Sequence, residues 1–345
     1  MSFFMGCFGC TSSCDATNND RVTPEGVSVD KTTSSEGVKR YSWAEIESLT
    51  MNFKEVIGVG GYSTVYLAKF HDSSLGAIKI YNSSDRLNQV FKSELEISQK
   101  LHHAYIVKLV GYCDERDEGA LVFEYMRKGN LQEELHDNHY QISSGDKNLK
   151  PQKLTWKQRI SIAYQLAQAL EYLHDSGDLH IVHGDIKSSN ILLDDHLNCK
   201  LCDFGCAKMG FSSMIEPPSS SRIAMMGSPG YIDPHFLMTG IASKKSDVYS
   251  FGVILLQLIT GIEAFVSSGE EKQVLLTSIV RSKGSFDVDK VLKMVDPTIQ
   301  SIDIEQLKTL AYIAGGCLNQ LPSLRLSASD ICNIMREKLW CHQKV

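Results

Sequence analysis

The stretch DVYSFGVILLQLITG, Asp247 to Gly261, is apolar nearly all round when wound as a helix. Such a helix offers no face to water, so other protein must enclose it on every side. Its most apolar window, VYSFGVILLQLI, is too short and too polar to span a bilayer. This one element therefore demands a sizeable helical body around it. The 345-residue chain is long enough, as one large or two medium domains. WKQRISIAYQLAQALEYLHDSG supplies a long amphipathic helix closed by Gly177, and QLKTLAYIAGGCLNQ and SDICNIMREKLW supply late ones.

The earlier part of the chain has a different character. Residues 11–40 are rich in Ser, Thr, Asn, Asp and Gly and read as a flexible linker, with structure beginning near Tyr41. SWAEIESLT places Ser42 three residues before Glu45, the pattern of a capped short helix. From Phe53 the pattern turns to strands: VIGVGGYSTVYLAKF, LGAIKIY, and later GALVFEYM. VFKSELEISQKLHH lies between them as a helix, and HDNHYQISSGDKNLKPQ reads as a loop. The expectation is an α+β chain, with a small antiparallel β-rich lobe holding one key helix ahead of a larger, mostly helical lobe.

Net charge is -6, so no nucleic-acid partner is expected. The first residues lack the basic and long apolar regions of a secretory signal. Ten cysteines in a chain of cytosolic character argue against disulfides. Cys7, Cys10 and Cys14 share a C-x2-C-x3-C spacing with Cys199, Cys202 and Cys206. Three thiols without a well-placed histidine or a second C-x-x-C are a poor zinc site, so neither cluster is read as one.

Four short pieces carry the chemistry. GVGGYSTV, Gly58 to Val65, can bring backbone N–H groups over phosphate oxygens; alone it is equally an ordinary hairpin turn. AIK ends at Lys79, whose ammonium can hold phosphate oxygens, although a lone strand lysine is usually just solvated. Glu94, on the next helix, is spaced to pair with it. In HGDIKSSN, Asp185 can accept the proton of a substrate hydroxyl, Lys187 can neutralise a phosphoryl group in transfer, and Asn190 can bind a metal ion. In CDFG, Asp203 is the second metal ligand, a hard oxygen of the kind magnesium prefers. Each piece has a bland alternative; the four in this order and spacing do not arise by chance.

With these pieces the chain resembles a protein kinase over roughly Phe53 to Lys338. HHAYIVKLVGYC, LVFEYMRKGNL, GSPGYIDP, KSDVYSFGVILLQLITG and MVDPTI resemble, more narrowly, plant receptor-like kinases, relatives of the Pelle and interleukin-receptor-associated kinases. Without an ectodomain or spanning helix, the sequence is similar to their receptor-like cytoplasmic branch. The resemblance implies the bilobal kinase fold, with an extension at 41–52, a kinase domain at 53–338 divided near residue 126, and a short tail at 339–345. It implies ATP with Mg2+, or Mn2+ in its place, and a protein substrate. Lys187 resembles serine/threonine rather than tyrosine kinases. Ile57, Gly58, Val59, Gly60, Gly61, Tyr62 and Ser63 would cover the nucleotide. Val65, Ala77 and Leu192 would sandwich adenine, Phe123 would be the gatekeeper, and Glu124 and Met126 would offer hinge backbone groups. A membrane receptor kinase is the partner the resemblance implies upstream.

The departures from the family pattern concern control. Gly184 replaces the arginine that usually receives a phosphorylated activation-segment residue, as in non-RD kinases. Phosphorylation of Ser212, Ser213, Ser219, Ser220, Ser221 or Ser228 in that segment is therefore expected to matter little. His235 stands in place of a glutamate that usually pairs with an arginine, Arg325 here, so that buried ion pair is expected to be lost, at a cost unless His235 or another acceptor serves the arginine. Ser98 stands where an apolar residue usually completes a column behind the helix of Glu94, and Ser63 replaces a glycine. These four changes keep alive a second reading, a nucleotide-binding pseudokinase that acts as a scaffold. At the N-terminus, residues 1–40 are expected to be disordered. Cys7, Cys10 and Cys14 among Phe3, Phe4 and Phe8 suit S-acylation, which would hold a cytoplasmic protein on the plasma membrane by palmitoyl chains.

Overall fold

The computed structural model describes residues 37–136, 153–175, 180–210, 214–215, 227–268 and 272–340. The expectations for Cys7, Cys10 and Cys14, for Gly177 and for the serines at 212, 213 and 219–221 lie outside them, as does nearly all of the loop expected after His136.

In the first lobe β1 (Lys39–Arg40), α1 (Trp43–Leu49), β2 (Val56–Val59), β3 (Ser63–Lys69), β4 (Leu75–Tyr81), α2 (Asp85–Lys100), β5 (Leu109–Cys113) and β6 (Ala120–Glu124) follow one another. The strands form one sheet in the order β1-β5-β6-β4-β3-β2. Its neighbours are antiparallel except β1, which runs parallel to β5.

β1 corrects the boundary of the expected linker, because Lys39 and Arg40 belong to the sheet. Tyr41 N–H donates to the Tyr112 carbonyl at 2.8 Å. Gly111 leaves the room: a Cβ there would lie 2.4 Å from the Tyr41 ring and 2.5 Å from the Lys39 carbonyl oxygen. Composition averaged over thirty residues hides so short an edge strand. α1 starts as its sequence implies, with a capping box between Ser42 and Glu45. Tyr41, Trp43, Ile46 and Leu49 then pack on Ala68, Ile78, Cys113, Ala120 and Val122. The 41–52 extension is thus part of the small lobe's core.

α2 begins at Asp85, five residues earlier than its apolar pattern suggests. The Ser84 hydroxyl accepts from Leu87 N–H at 3.2 Å and starts the helix, with Leu87 buried one turn ahead of Phe91.

The second lobe holds α3 (Leu131–His136), α4 (Trp156–Asp175), β7 (Ile181–Val182), β8 (Ile191–Leu193), β9 (Cys199–Leu201), β10 (Lys208–Met209), β11 (Met214–Ile215), α5 (Pro234–Thr239), β12 (Ala242–Ser243) and α6 (Lys244–Thr260). α6 is the helix with no polar face. From Asp247 to Thr260 every residue except Ser250 is buried, enclosed by α4 and the helix Ile304–Cys317. Gly261 ends it in the left-handed conformation. The helix Ala328–Met335 packs on α4 from the other side.

Two buried arginines brace this lobe. Arg159, on the core side of α4, donates to the Leu154 and Leu258 carbonyls and to Asp296 Oδ2 at 2.6 Å. Arg325 donates from Nη1 and Nη2 to the two oxygens of Asp233, each at 2.7 Å. This second pair corrects an expectation. The ion pair is not lost with the glutamate at 235, because Asp233, two residues earlier, supplies the carboxylate. Asp233 also caps α5 by accepting from His235 N–H at 2.9 Å, so one side chain starts the helix and compensates Arg325.

Candidate active site

β4 brings Lys79 to the site. Its side-chain nitrogen lies 2.8 Å from Glu94 Oε2 and 2.8 Å from Asp203 Oδ1. Glu94 reaches it from the inner face of α2 and is fully buried. Burial alone would lower the Lys79 amine, but Glu94 and then Asp203 outweigh it and hold the amine well above its ordinary range. Lys79 in turn holds the Asp203 carboxyl down at about 2, against burial. Asp203 is therefore ionised at any working pH. It sits at φ +65, with its side chain closing the turn onto Gly205 N–H; aspartate tolerates that region better than most residues.

The loop after β7 is held from beneath by α6. The buried Asp247 carboxylate accepts from His183 N–H at 2.8 Å, from Gly184 N–H at 2.9 Å and from His174 Nε2 at 2.9 Å. His183 Nε2 donates to the Cys202 carbonyl at 3.0 Å, while Nδ1 accepts from Asp185 N–H at 3.2 Å. Those two partners require the neutral ring protonated on Nε2. The ring meets the edge of Phe204 at 4.9 Å. Gly184 has φ +79, and a Cβ there would lie 3.0 Å from the Cys206 carbonyl oxygen. Glycine suits this position for a backbone reason as well as for the charge it lacks.

Asp185 is firmly held. Lys187 Nζ lies 2.8 Å from its Oδ2, Ser228 Oγ donates to its Oδ1 at 2.9 Å, and Asn190 Nδ2 donates to its carbonyl at 2.8 Å. Lys187 also donates to Ser228 Oγ at 2.8 Å. Ser228, read from sequence as one more segment serine, thus bridges the carboxylate and the ammonium. Its sequence signal is the motif GSPGYIDP.

Two hard oxygen donors suited to a divalent cation lie on adjoining segments, where Cys202 N–H donates to the Asn190 carbonyl at 3.0 Å. Asp203 is ionised, and Asn190 spends its NH2 on Asp185, which leaves its amide oxygen for a metal. The turn from Val59 to Ser63 closes through Gly60 N–H to the Ser63 carbonyl at 2.8 Å. A Cβ on Gly61 would meet nothing within 4 Å, so the space at the turn is open. Ile57, Val59 and Tyr62 are exposed beside it. Val65 pairs with Lys79, and Ala77 with both Leu67 and Phe123, so the residues expected to sandwich adenine share the sheet with the lysine. Leu192 comes from β8 in the second lobe, bridged to Asn130. Glu124 ends β6; its N–H donates to the Lys108 carbonyl at 3.1 Å and its carboxylate pairs with Lys200 at 2.7 Å. Met126, just beyond, is buried.

The thiols of Cys199, Cys202 and Cys206 do not gather as ligands. Cys199 donates to the Ile162 carbonyl at 3.5 Å, and burial raises all three thiols, Cys206 to about 11. No cluster of three or more metal-ligating side chains occurs among the described residues.

The protein kinase domain family matches residues 51–335. The chain is 46% identical over 324 residues to a receptor-like protein kinase of Arabidopsis thaliana, covering 90% of this chain and 92% of that one. It is 42% identical over 354 residues to the salt tolerance receptor-like cytoplasmic kinase 1 of Oryza sativa subsp. japonica, covering 97% and 95%. An LRR receptor-like serine/threonine-protein kinase of Arabidopsis thaliana is 36% identical over 307 residues, which is 88% of this chain and 33% of that one. The chain belongs to the protein kinase family, as a serine/threonine protein kinase of the plant receptor-like group. It is a transferase that uses ATP and a divalent metal and acts on protein substrates. No helix among the described residues is long and apolar enough to cross a membrane.

Proposed function

We propose that this enzyme is a non-RD kinase that moves the γ-phosphoryl group of MgATP to serine and threonine hydroxyls, in signalling downstream of a membrane receptor. The observation that carries the site assignment is the Lys79 amine, held at 2.8 Å from both Glu94 and Asp203. Lys79 would hold the α- and β-phosphates in register, with Glu94 fixing its position. Asn190 and Asp203 would hold Mg2+, which would neutralise phosphate charge. Asp185 would orient the substrate hydroxyl and take its proton, while Lys187 steadies the charge that develops on the phosphoryl oxygens. Ile57 to Ser63 would cover the phosphates. Val65, Ala77 and Leu192 would enclose adenine below the Phe123 gatekeeper, with hinge groups from Glu124 and Met126. A serine/threonine preference is supported by Lys187 and Ser228 lying beside Asp185.

The non-RD reading is supported by Gly184. It carries no cation to receive a phosphate, and Asp247 holds its backbone. Phosphatase treatment should therefore leave basal turnover nearly unchanged; a large loss would refute that point. Lys79→Met and Asp185→Asn should each abolish phosphotransfer without unfolding the protein. Wild-type transfer by both would overturn the site assignment. Palmitoylation of Cys7, Cys10 and Cys14 remains the proposed route to the plasma membrane. Fractionation of the triple serine variant tests it, and retention on membranes would refute it.

A further inference from the structure

β4 carries a second polar side chain to the site. Side chains alternate along a strand, so Tyr81 shares a face with Lys79. Its ring is 2% exposed and meets Phe91 of α2 edge-on at 5.8 Å, in a cluster with Leu109 and Leu121. Its hydroxyl donates to Glu94 Oε2, the same oxygen that receives Lys79. Burial raises the phenol well above its ordinary range, so it remains a donor wherever the enzyme works. One turn beyond Glu94, Ser98 is also buried, but its hydroxyl has no hydrogen-bond partner. Its side chain therefore gives α2 no polar tie. Tyr81 ties the same helix at two points, Glu94 and Phe91.

We propose that Tyr81 is a positioning residue that latches α2 to the sheet and holds Glu94 in its pair with Lys79, in place of the apolar side chain that position 98 lacks. This rests on reading Lys79 and Glu94 as the phosphate-positioning pair. If it is right, the need for the latch depends on Ser98. An apolar side chain at 98 anchors the helix by packing and makes the hydroxyl at 81 less important.

The test compares Tyr81→Phe, Ser98→Leu and the double variant in the full chain, by steady-state kinetics and amide hydrogen exchange. Phe keeps the ring and its packing, and Ser98→Val serves where leucine overfills the site. Tyr81→Phe should lower kcat about tenfold, the value of one hydrogen bond to a charged group. Faster exchange should be confined to residues 85–100. Leucine or valine at 98 should recover most of that loss in the double variant. Wild-type kcat in Tyr81→Phe, faster exchange across the whole sheet, or a loss that neither residue at 98 relieves would overturn the latch. Lys79→Met separates the two levels. If it is inactive while Tyr81→Phe is normal, only the latch fails; if it is active, the reading beneath the latch fails as well.

Discussion

Asp233→Asn tests the ion pair that stands in for the missing glutamate. The side chains of Arg325 and Asp233 are 0% and 1% exposed, so neither charge has recourse to water. The Arg325 Nη atoms meet both carboxylate oxygens at 2.7 Å, Nε donates to the Asn319 carbonyl at 2.8 Å, and Nη1 also donates to the Lys245 carbonyl at 2.8 Å. Asparagine keeps the helix cap but removes the charge and turns an NH2 toward the guanidinium. Uncompensating a buried charge costs about 3–5 kcal/mol. That is a large share of the roughly 5–15 kcal/mol that holds a domain folded. At about 2–4 °C per kcal/mol, the thermal midpoint should fall by about 6–20 °C. Scanning calorimetry on Asp233→Asn, Arg325→Met and the double variant gives a full cycle. The double variant should lose much less than the sum of the singles, because it leaves no orphaned charge. Additive losses, or an Asp233→Asn midpoint within a degree or two of wild type, would refute the reasoning.

Gly184→Ala forces a side chain into a left-handed backbone, which costs about 1–2 kcal/mol, and should lower both thermal midpoint and kcat because Asp185 follows it in the chain; unchanged values of both would show that the backbone relaxes freely. Ser228→Ala removes the hydroxyl between Asp185 and Lys187, and kcat should fall roughly 10- to 100-fold with the thermal midpoint unchanged. Ser228→Thr should retain activity, and a silent Ser228→Ala would exclude the bridge from catalysis. Asp203 titrates at about 2 because Lys79 faces it. A depressed carboxylate stabilises the fold above its ordinary value near 3.8, and that contribution is lost only as pH falls toward 2. Carboxyl NMR of the Lys79→Met variant should therefore show the Asp203 midpoint moving up; an unmoved midpoint would mean that Lys79 is not its cause.

The parts of the site that were legible in the sequence are those where one residue type at one spacing serves one chemistry. Lys79, Glu94, Asp185, Asn190 and Asp203 are proposed on that basis, and the structure joins Lys79 to Glu94 and Asp203, and Asn190 to Asp185. α6 was legible because a helix apolar on all sides has only one place to go. Short contributions were harder to see. Two charged residues, Lys39 and Arg40, join the sheet because Gly111 and Tyr41 make room and a hydrogen bond for them, a pairing seventy residues away in sequence. The start of α2 is hard to see because Leu87 is the only apolar residue from Asp85 to Gln89, and a serine cap fixes the first turn. The partners of Ser228 and Asp247 are not legible in their motifs, since a hydroxyl or carboxylate declares its partner only after folding. Tyr81 carries a usable signal, an aromatic hydroxyl two residues along a strand from the lysine proposed to hold the phosphates.

Asp233 and Tyr81 point to a common rule about where sequence change is tolerated. The groups proposed to face ATP and metal sit at their family positions, because the phosphates and the transferred group fix where charges must stand. The groups that brace them need only reach the same atom. A carboxylate for Arg325 comes from position 233 in place of 235. A helix that cannot be anchored through Ser98 can be tied through Tyr81. A motif comparison scores both positions as losses, whereas the folded chain has moved the interaction. The departures at 98 and 235 therefore do not by themselves argue for a dead enzyme. Their compensation predicts that reverting His235 to glutamate adds little while Asp233 is present, and restores stability only once Asp233 has been changed to asparagine. A large gain from His235→Glu in the wild-type background would show that Asp233 satisfies Arg325 only in part, and would return the position to the list of real defects.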